Sequence, residues 1–327
     1  MITPASVTLR AHALPMLLAL SLPLAGCGSP ASSGSSPGTS SGGSSTTSGG
    51  TSGSSSGGGT GDYTAFVNEQ PVTINGYIGD AMEPFLSRDS KYLFFNNSND
   101  PAVNTDLFYA LRIDGLNFQY QGPVQGANGD KLDAVASMDT SGNFYFISTR
   151  SYDTTISTLH SAPFASGALG TVSLISGVSL LTPGKLNFDA EISADGTTLW
   201  FNDGDFSTGT LSAATIVVAD KQASGFVRRA DSAALLQNVN SAALNYAPDI
   251  SSDGLELFFT RWNSSVPNAA PAIFRAARTS TNVPFGLPQK VASATGFVEA
   301  ASLSADGQFL YYHKRDNGQL KIFRSQR

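Results

Sequence analysis

Cysteine is almost missing: Cys27 stands alone in 327 residues. A single cysteine forms no intramolecular disulfide and builds no Cys-based zinc or iron–sulfur site. Charge is scarce as well. Asp, Glu, Lys and Arg make up 13% of the chain, against about 25% in an ordinary globular protein, and Ser, Gly, Thr and Asn fill the difference. The formal net charge is −6, or −7 from Cys27 onward because Arg10 is the only charged residue before it. No block of Lys and Arg occurs anywhere, which excludes nucleic acid as a partner, since phosphate binding needs clustered cations. Beyond Cys27 there are two histidines, His160 in a strand-end context and His313 at the start of a turn. With no Gly-x-Ser-x-Gly elbow and no His-Glu-x-x-His, nucleophile and zinc-hydrolase chemistry have no foothold.

The apolar segment Ala13–Ala25 is too short to span a bilayer and has the length of a signal-peptide core. It ends in Leu24-Ala25-Gly26-Cys27, which resembles the bacterial lipobox. That resemblance implies cleavage after Gly26, lipidation of Cys27 and a membrane partner through the lipid. With Gly28 rather than Asp after the cysteine, it also implies the outer membrane in a Gram-negative host. Residues 28–61 are nearly all Ser, Gly, Thr and Pro. Such a stretch has no apolar surface to bury and spans roughly 30 Å as a flexible coil. The expected organisation is a signal peptide over 1–26, lipidated Cys27 and linker over 27–61, and one folded domain over 62–327.

From Asp62 on, aromatic and β-branched residues return in short runs between Gly, Asn, Asp and Pro, with no sustained helical period. This is an all-β pattern. Near-copies of one phrase recur: "SRDSKYLFF" from Ser87, "DTSGNFYF" from Asp139, "SADGTTLWF" from Ser193, "SSDGLELFF" from Ser251 and "SADGQFLYY" from Ser304. Aligned on Asp89, Ser141, Asp195, Asp253 and Asp306, their spacings are 52, 54, 58 and 53. Five residues before each stands Pro84, Ala136, Ala190, Pro248 or Ala301. Each unit reads as a small-residue inner strand, a tight Asp-Gly hairpin with positive φ, an aromatic strand, a loop and two outer strands. Five such units predict a β-propeller of five four-stranded blades. "PVTINGYI", Pro71 to Ile78, is expected to complete the last blade and close the ring. Six blades follow if Tyr63–Ile78 hides a degenerate unit.

The phrase S-x-D-G-x-x-L-x-F, with "IFRAAR" from Ile273 and "PFGLPQKV" from Pro284, resembles the TolB-like, WD-repeat-like propeller repeat of bacterial envelope proteins. The resemblance covers residues 80–327 and departs at the second unit, where Ser141-Gly142 replaces Asp-Gly. It implies a fold and an envelope location, and no single activity.

Two candidate sites emerge, both on the face carrying the loops that enter the inner strands. Acidic residues precede or begin each inner strand: Glu83, Asp133, Asp189, Asp249 and Glu299. Ringed around the channel mouth they suit a hard cation such as Ca²⁺, or they cap strand ends and pair with arginines. The loops on that face carry Arg150, Arg261, Trp262 and Lys314, types that anchor a peptide or stack on a sugar. The expected function is a lipid-anchored platform binding an envelope protein, peptide or glycan. The alternative is a glycan-active enzyme that uses channel-mouth carboxylates as acid and base or nucleophile.

Overall fold

The computed structural model describes residues 65–100, 104–241 and 243–327. The expected signal peptide, Cys27 and the expected linker lie outside these residues. Five sheets form five blades of a β-propeller. Their inner strands are Met82–Leu86, Asp133–Met138, Lys185–Ile192, Leu244–Ile250 and Val298–Leu303. The second strands, Tyr92–Asn96, Asn143–Ser148, Thr198–Asp205, Glu256–Trp262 and Phe309–Asp316, hold the repeated aromatics. The third strands, Leu107–Arg112, Leu159–Ala165, Ala213–Gln222, Ala272–Ala277 and Gln319–Gln326, complete the common unit. Outer strands vary most, from seven residues at Asn117–Pro123 to two at Gln289–Lys290.

The second-strand aromatics fill the space between blades. Phe94 of blade 1 meets Phe144 of blade 2 edge-on at 5.0 Å. Trp200 of blade 3 meets Phe285 of blade 4 at 5.8 Å and 72°. Phe118 of blade 1 meets Tyr311 of blade 5 at 6.2 Å and 82°. The buried residues fall into separate apolar clusters, each spanning neighbouring blades. The core is thus a ring of wedges around a polar axis.

Closure differs in detail from the sequence expectation. The strand completing blade 5 is Val67–Pro71, antiparallel to Gln319–Gln326. The segment assigned to closure instead places Thr73–Asn75 parallel to Asn117–Gln119, as an extra strand on blade 1. Val72, Ile74 and Tyr77 pack there against the cluster holding Leu93, Phe95 and Phe118. Their apolar alternation is real but serves the neighbouring blade.

The repeated turn also differs. The Asp does not take positive φ; only the following residue does, in Ser90, Gly142, Gly196, Gly254 and Gly307. In blade 1 the Ser90 N–H donates to the Ser87 carbonyl at 2.7 Å and the Ser87 N–H to the Tyr92 carbonyl at 2.9 Å. Within this wider loop the Ser87 hydroxyl donates to Asp89 at 2.6 Å and accepts the Lys91 and Tyr92 N–H groups. The same Ser–Asp bond recurs at Ser193–Asp195, Ser251–Asp253 and Ser304–Asp306. In blade 2 Asp139 does the work of both residues, accepting the Ser141 and Asn143 N–H groups at 2.9 Å each. One residue serving for two matches that turn's missing residue.

Ser90 is the only non-glycine at the left-handed position, with φ 58°. A side chain there costs about 1–2 kcal/mol. Ser90→Gly is therefore expected to raise stability by roughly 0.5–1 kcal/mol, after the extra chain entropy of glycine is set against the relief. Urea denaturation checks it, and an unchanged or lowered midpoint would count against this account of the turn.

Candidate functional site: the axial channel and its mouth

Each inner strand carries the same bulge. Register shifts at Met82/Phe85, Ala134/Ser137, Phe188/Glu191, Tyr246/Asp249 and Glu299/Ser302. The residue at the bulge is left-handed: Glu83 (φ 48°), Val135 (52°), Asp189 (51°), Ala247 (50°) and Ala300 (54°). Next comes the small-or-proline residue, and Pro84, Ala136, Ala190, Pro248 and Ala301 all line the axial cavity. Small side chains there let five strands converge. The cavity is about 30 Å³, room for about two waters at 10–15 Å³ each.

A bulge frees backbone N–H groups, and buried N–H groups need acceptors. The neighbouring blade supplies them. At the bulge, the Glu83 N–H donates to His313 Nδ1 (3.2 Å), the Val135 N–H to Asn96 Oδ1 (3.2 Å), the Ala247 N–H to Asp189 Oδ2 (2.9 Å) and the Ala300 N–H to Thr260 Oγ1 (3.0 Å). Three residues on, the Leu86 N–H donates to Ser302 Oγ (3.0 Å), the Ile192 N–H to Ser137 Oγ (3.0 Å) and the Leu303 N–H to Asp249 Oδ2 (2.9 Å). Glu191 takes the Ile250 backbone in the same way. Polar axial side chains thus stitch each blade to the next.

The carboxylates form two layers. In the upper layer Glu83, Asp189 and Glu299 act on one another electrostatically. Asn99 Nδ2 donates to Glu83 Oε1 at 2.7 Å. Glu299 accepts the Tyr246 hydroxyl at Oε1 and His313 Nε2 at Oε2, the latter at 3.2 Å. Because the Glu83 N–H points at Nδ1, the His313 proton belongs on Nε2. Burial lowers that ring's proton affinity, but the Glu299 hydrogen bond and the Glu83 charge more than offset it. Burial, then the Glu83 charge, pushes Asp189 well above the ordinary carboxyl range, and burial also raises Glu83. Burial and the nearby Glu299 carboxyl raise the Tyr246 hydroxyl well above its usual value.

In the lower layer Arg88 pairs with Glu191 at side-chain exposures of 5% each. Arg88 also donates to the Ile192 carbonyl at 2.8 Å, and Ser137 Oγ to Glu191 Oε2 at 2.6 Å. Burial raises Glu191 despite Arg88, and raises Asp249 well above its usual value with Glu191 as the second cause. Asp249 Oδ1 is buried with no hydrogen-bond partner.

The expected acidic ring is therefore not one ring. Glu83, Asp189 and Glu299 meet at the mouth and Asp249 sits one layer down. Asp133 is fully buried away from the cavity lining, held by the Gly129 N–H at 2.7 Å and Arg150 at 2.8 Å. Among the described residues no three His, Cys, Asp or Glu side chains group so as to hold a metal ion. The loop residues have internal partners. Arg150 also bonds Ser148 Oγ at 2.8 Å. Arg261 bonds Asn245 Oδ1 at 2.8 Å and the Val239 carbonyl at 2.7 Å, over the Phe274 ring. Trp262 donates Nε1 to the Ala269 carbonyl at 2.8 Å. Lys314 pairs with Glu69 of the closing strand at 2.5 Å.

Sequence reading passed over Arg88 and Tyr246, and it placed His313 at a turn. His313 is fully buried inside the strand Phe309–Asp316. A signal for it exists. Seven residues after each turn residue stands a polar one, Asn96, Ser148, Asn202, Thr260 or His313, and all five are fully buried.

No family model and no curated protein matches the chain. Solved structures do. TolB from Acinetobacter baumannii is 14% identical with a TM-score of 0.43, over 76% of this chain and 55% of that one. The chain thus spans little more than half the length of that TolB structure. The endo-arabinase from Bacteroides thetaiotaomicron is 13% identical with a TM-score of 0.49, over 81% and 98%. The arabinanase Arb43A from Bacillus subtilis is 14% identical with a TM-score of 0.50, over 80% and 97%. At these identities the likeness is one of fold, and the fold is the β-propeller.

Proposed function

We propose that the protein is a binding platform tethered to the cell envelope through lipidated Cys27, and that a protein or peptide docks on the face surrounding the channel mouth. One observation carries this reading: the apolar side chains on the loops of that face. Ile78 is 94% exposed and Leu181 64%, with Leu180 and Val266 exposed beside loops of Asn, Ser and Pro. The axial cavity itself is about 30 Å³, far below the 300–1,000 Å³ that encloses a small-molecule ligand. A partner therefore engages the rim and not the bore. Trp262 braces the loop that presents Val266 through the Ala269 carbonyl, and Arg261 holds Val239 and Asn245.

Capture of envelope proteins by the full chain tests the proposal. Leu180→Ser/Leu181→Ser and Val266→Ser are expected to weaken capture about tenfold or more, the loss of one or two buried aliphatic contacts, with unchanged melting. Capture that survives both changes would point elsewhere. The glycan-active reading draws on Glu299, held by Tyr246 and His313 beside the electrostatically coupled Asp189. It predicts glycan hydrolysis that Asp189→Asn abolishes, and a hydrolysis screen of the full chain separates the two.

A further inference from the structure

We propose that the axial channel is held together by protons: Asp189 and Asp249 are carboxylic acids in the folded protein, and the ring loosens when rising pH removes their protons. Charge must balance in so enclosed a space. Asp249 faces Glu191 across the lower layer, and the single cation there, Arg88, is bonded to Glu191. Asp249 Oδ2 takes the Leu303 N–H, while Oδ1 is buried without a donor. A charged oxygen left so is costly, whereas a carboxylic O–H turned toward a channel water is not.

The upper layer has less cation still. The titratable groups acting on Asp189 are Glu83 from blade 1, Tyr246 from blade 4 and Glu299 from blade 5, while His313 of blade 5 acts on Glu83 and Glu299. None is a permanent cation, and neither lysine nor arginine is among the residues lining the cavity. The neutral His313 tautomer fits both of its contacts.

The two acids also share a mechanical position. Asp189 caps the Ala247 N–H and Asp249 caps the Leu303 N–H. Between them they bind the inner strand of blade 4 to both neighbours. The outer strand of blade 4, Gln289–Lys290, is only two residues long. Charging the acids would set negative charge at both seams of a blade with little support from its outer strand.

The sign of the pH effect follows. Both carboxyls are raised in the folded state, so their contribution is complete below the ordinary carboxyl range. It is lost as pH rises through the raised folded values. For each proton the fold retains, the folding equilibrium constant falls about tenfold per pH unit.

Urea denaturation of the full chain with Cys27→Ser, followed by the fluorescence of buried Trp200, tests this from about pH 5 to about pH 9. The midpoint is expected to fall toward the alkaline end, with Asp249→Asn and Asp189→Asn each flattening the slope and raising the alkaline midpoint. Stability that is flat or rises with pH, or Asn variants that keep the wild-type slope, would overturn the proposal. Should the variants not fold, infrared spectra of the wild-type chain with ¹³C-labelled aspartate decide it. A protonated aspartate carbonyl band near neutral pH supports the proposal, and its absence ends it.

Discussion

Arg88→Met is expected to destabilise the protein by about 3–5 kcal/mol, the cost of stranding one member of a buried ion pair. Among the described residues Arg88 is the one cation acting on Glu191 and Asp249, and its loss leaves Glu191 facing Asp249 with no compensating charge. It also removes the guanidinium from over the Phe85 ring, at 5.4 Å. The loss should be smaller at about pH 5 than at about pH 8, because an unpaired Glu191 then takes a proton and its raised carboxyl works for the fold at low pH. The double change Arg88→Met/Glu191→Gln removes the stranded charge and should recover about 1–3 kcal/mol, since exchanging a whole buried pair is far milder than breaking it. Chemical denaturation of the three proteins at both pH values measures this. Additive effects of the two substitutions would show that the pair is not coupled.

Phe66→Ala should have a comparable effect by a different route. Phe66 is buried at 2% exposure, packs edge-on against Phe258 at 5.8 Å and lies beneath Arg327 at 4.9 Å. It stands just before the closing strand, whose other anchor is Glu69, bonded to Tyr312 at 2.7 Å and to Lys314. Truncating a buried phenylalanine costs about 3–5 kcal/mol, or roughly 6–20 °C in melting temperature for a domain of this size. Opening the seam also bares the edge of Gln319–Gln326, so the variant should self-associate as edges do. Melting and gel filtration check both parts, and a monomer with near-normal melting would show that the closing strand is held by its backbone ladder alone.

The fold was legible because its information is local and repeated. Ser-x-Asp-Gly fixes a turn through side-chain bonds spanning six residues, and the aromatics that follow are buried whatever lies beyond them. The closing strand was not legible for the opposite reason. Val67–Pro71 is almost wholly exposed and is selected by pairing with a strand some 250 positions away, while the more apolar segment after it belongs to blade 1. The site was half legible. The acidic residues do gather near the axis, but Asp133, Glu299, Asp189 and Asp249 occupy four different places relative to the bulge. In a strand a shift of one residue turns a side chain to the other face. The bulge itself has no signature beyond the residue that follows it, so which acids meet was hidden until the register was known.

Ring closure between strands far apart in sequence has a consequence in time. Val67–Pro71 leaves the ribosome before any blade is made, yet its partner Gln319–Gln326 follows all the other strands of the ring. Blades can pair internally as they emerge, since their strands are neighbours in sequence, but Val67–Pro71 has no partner until Gln319–Gln326 has been made. Through that interval blade 5 is absent and blade 1 presents an uncovered inner flank to anything in reach. Completion of the ring is therefore a single late, long-range event, and a chain that stops before Gln319–Gln326 would be an open arc and not a smaller ring.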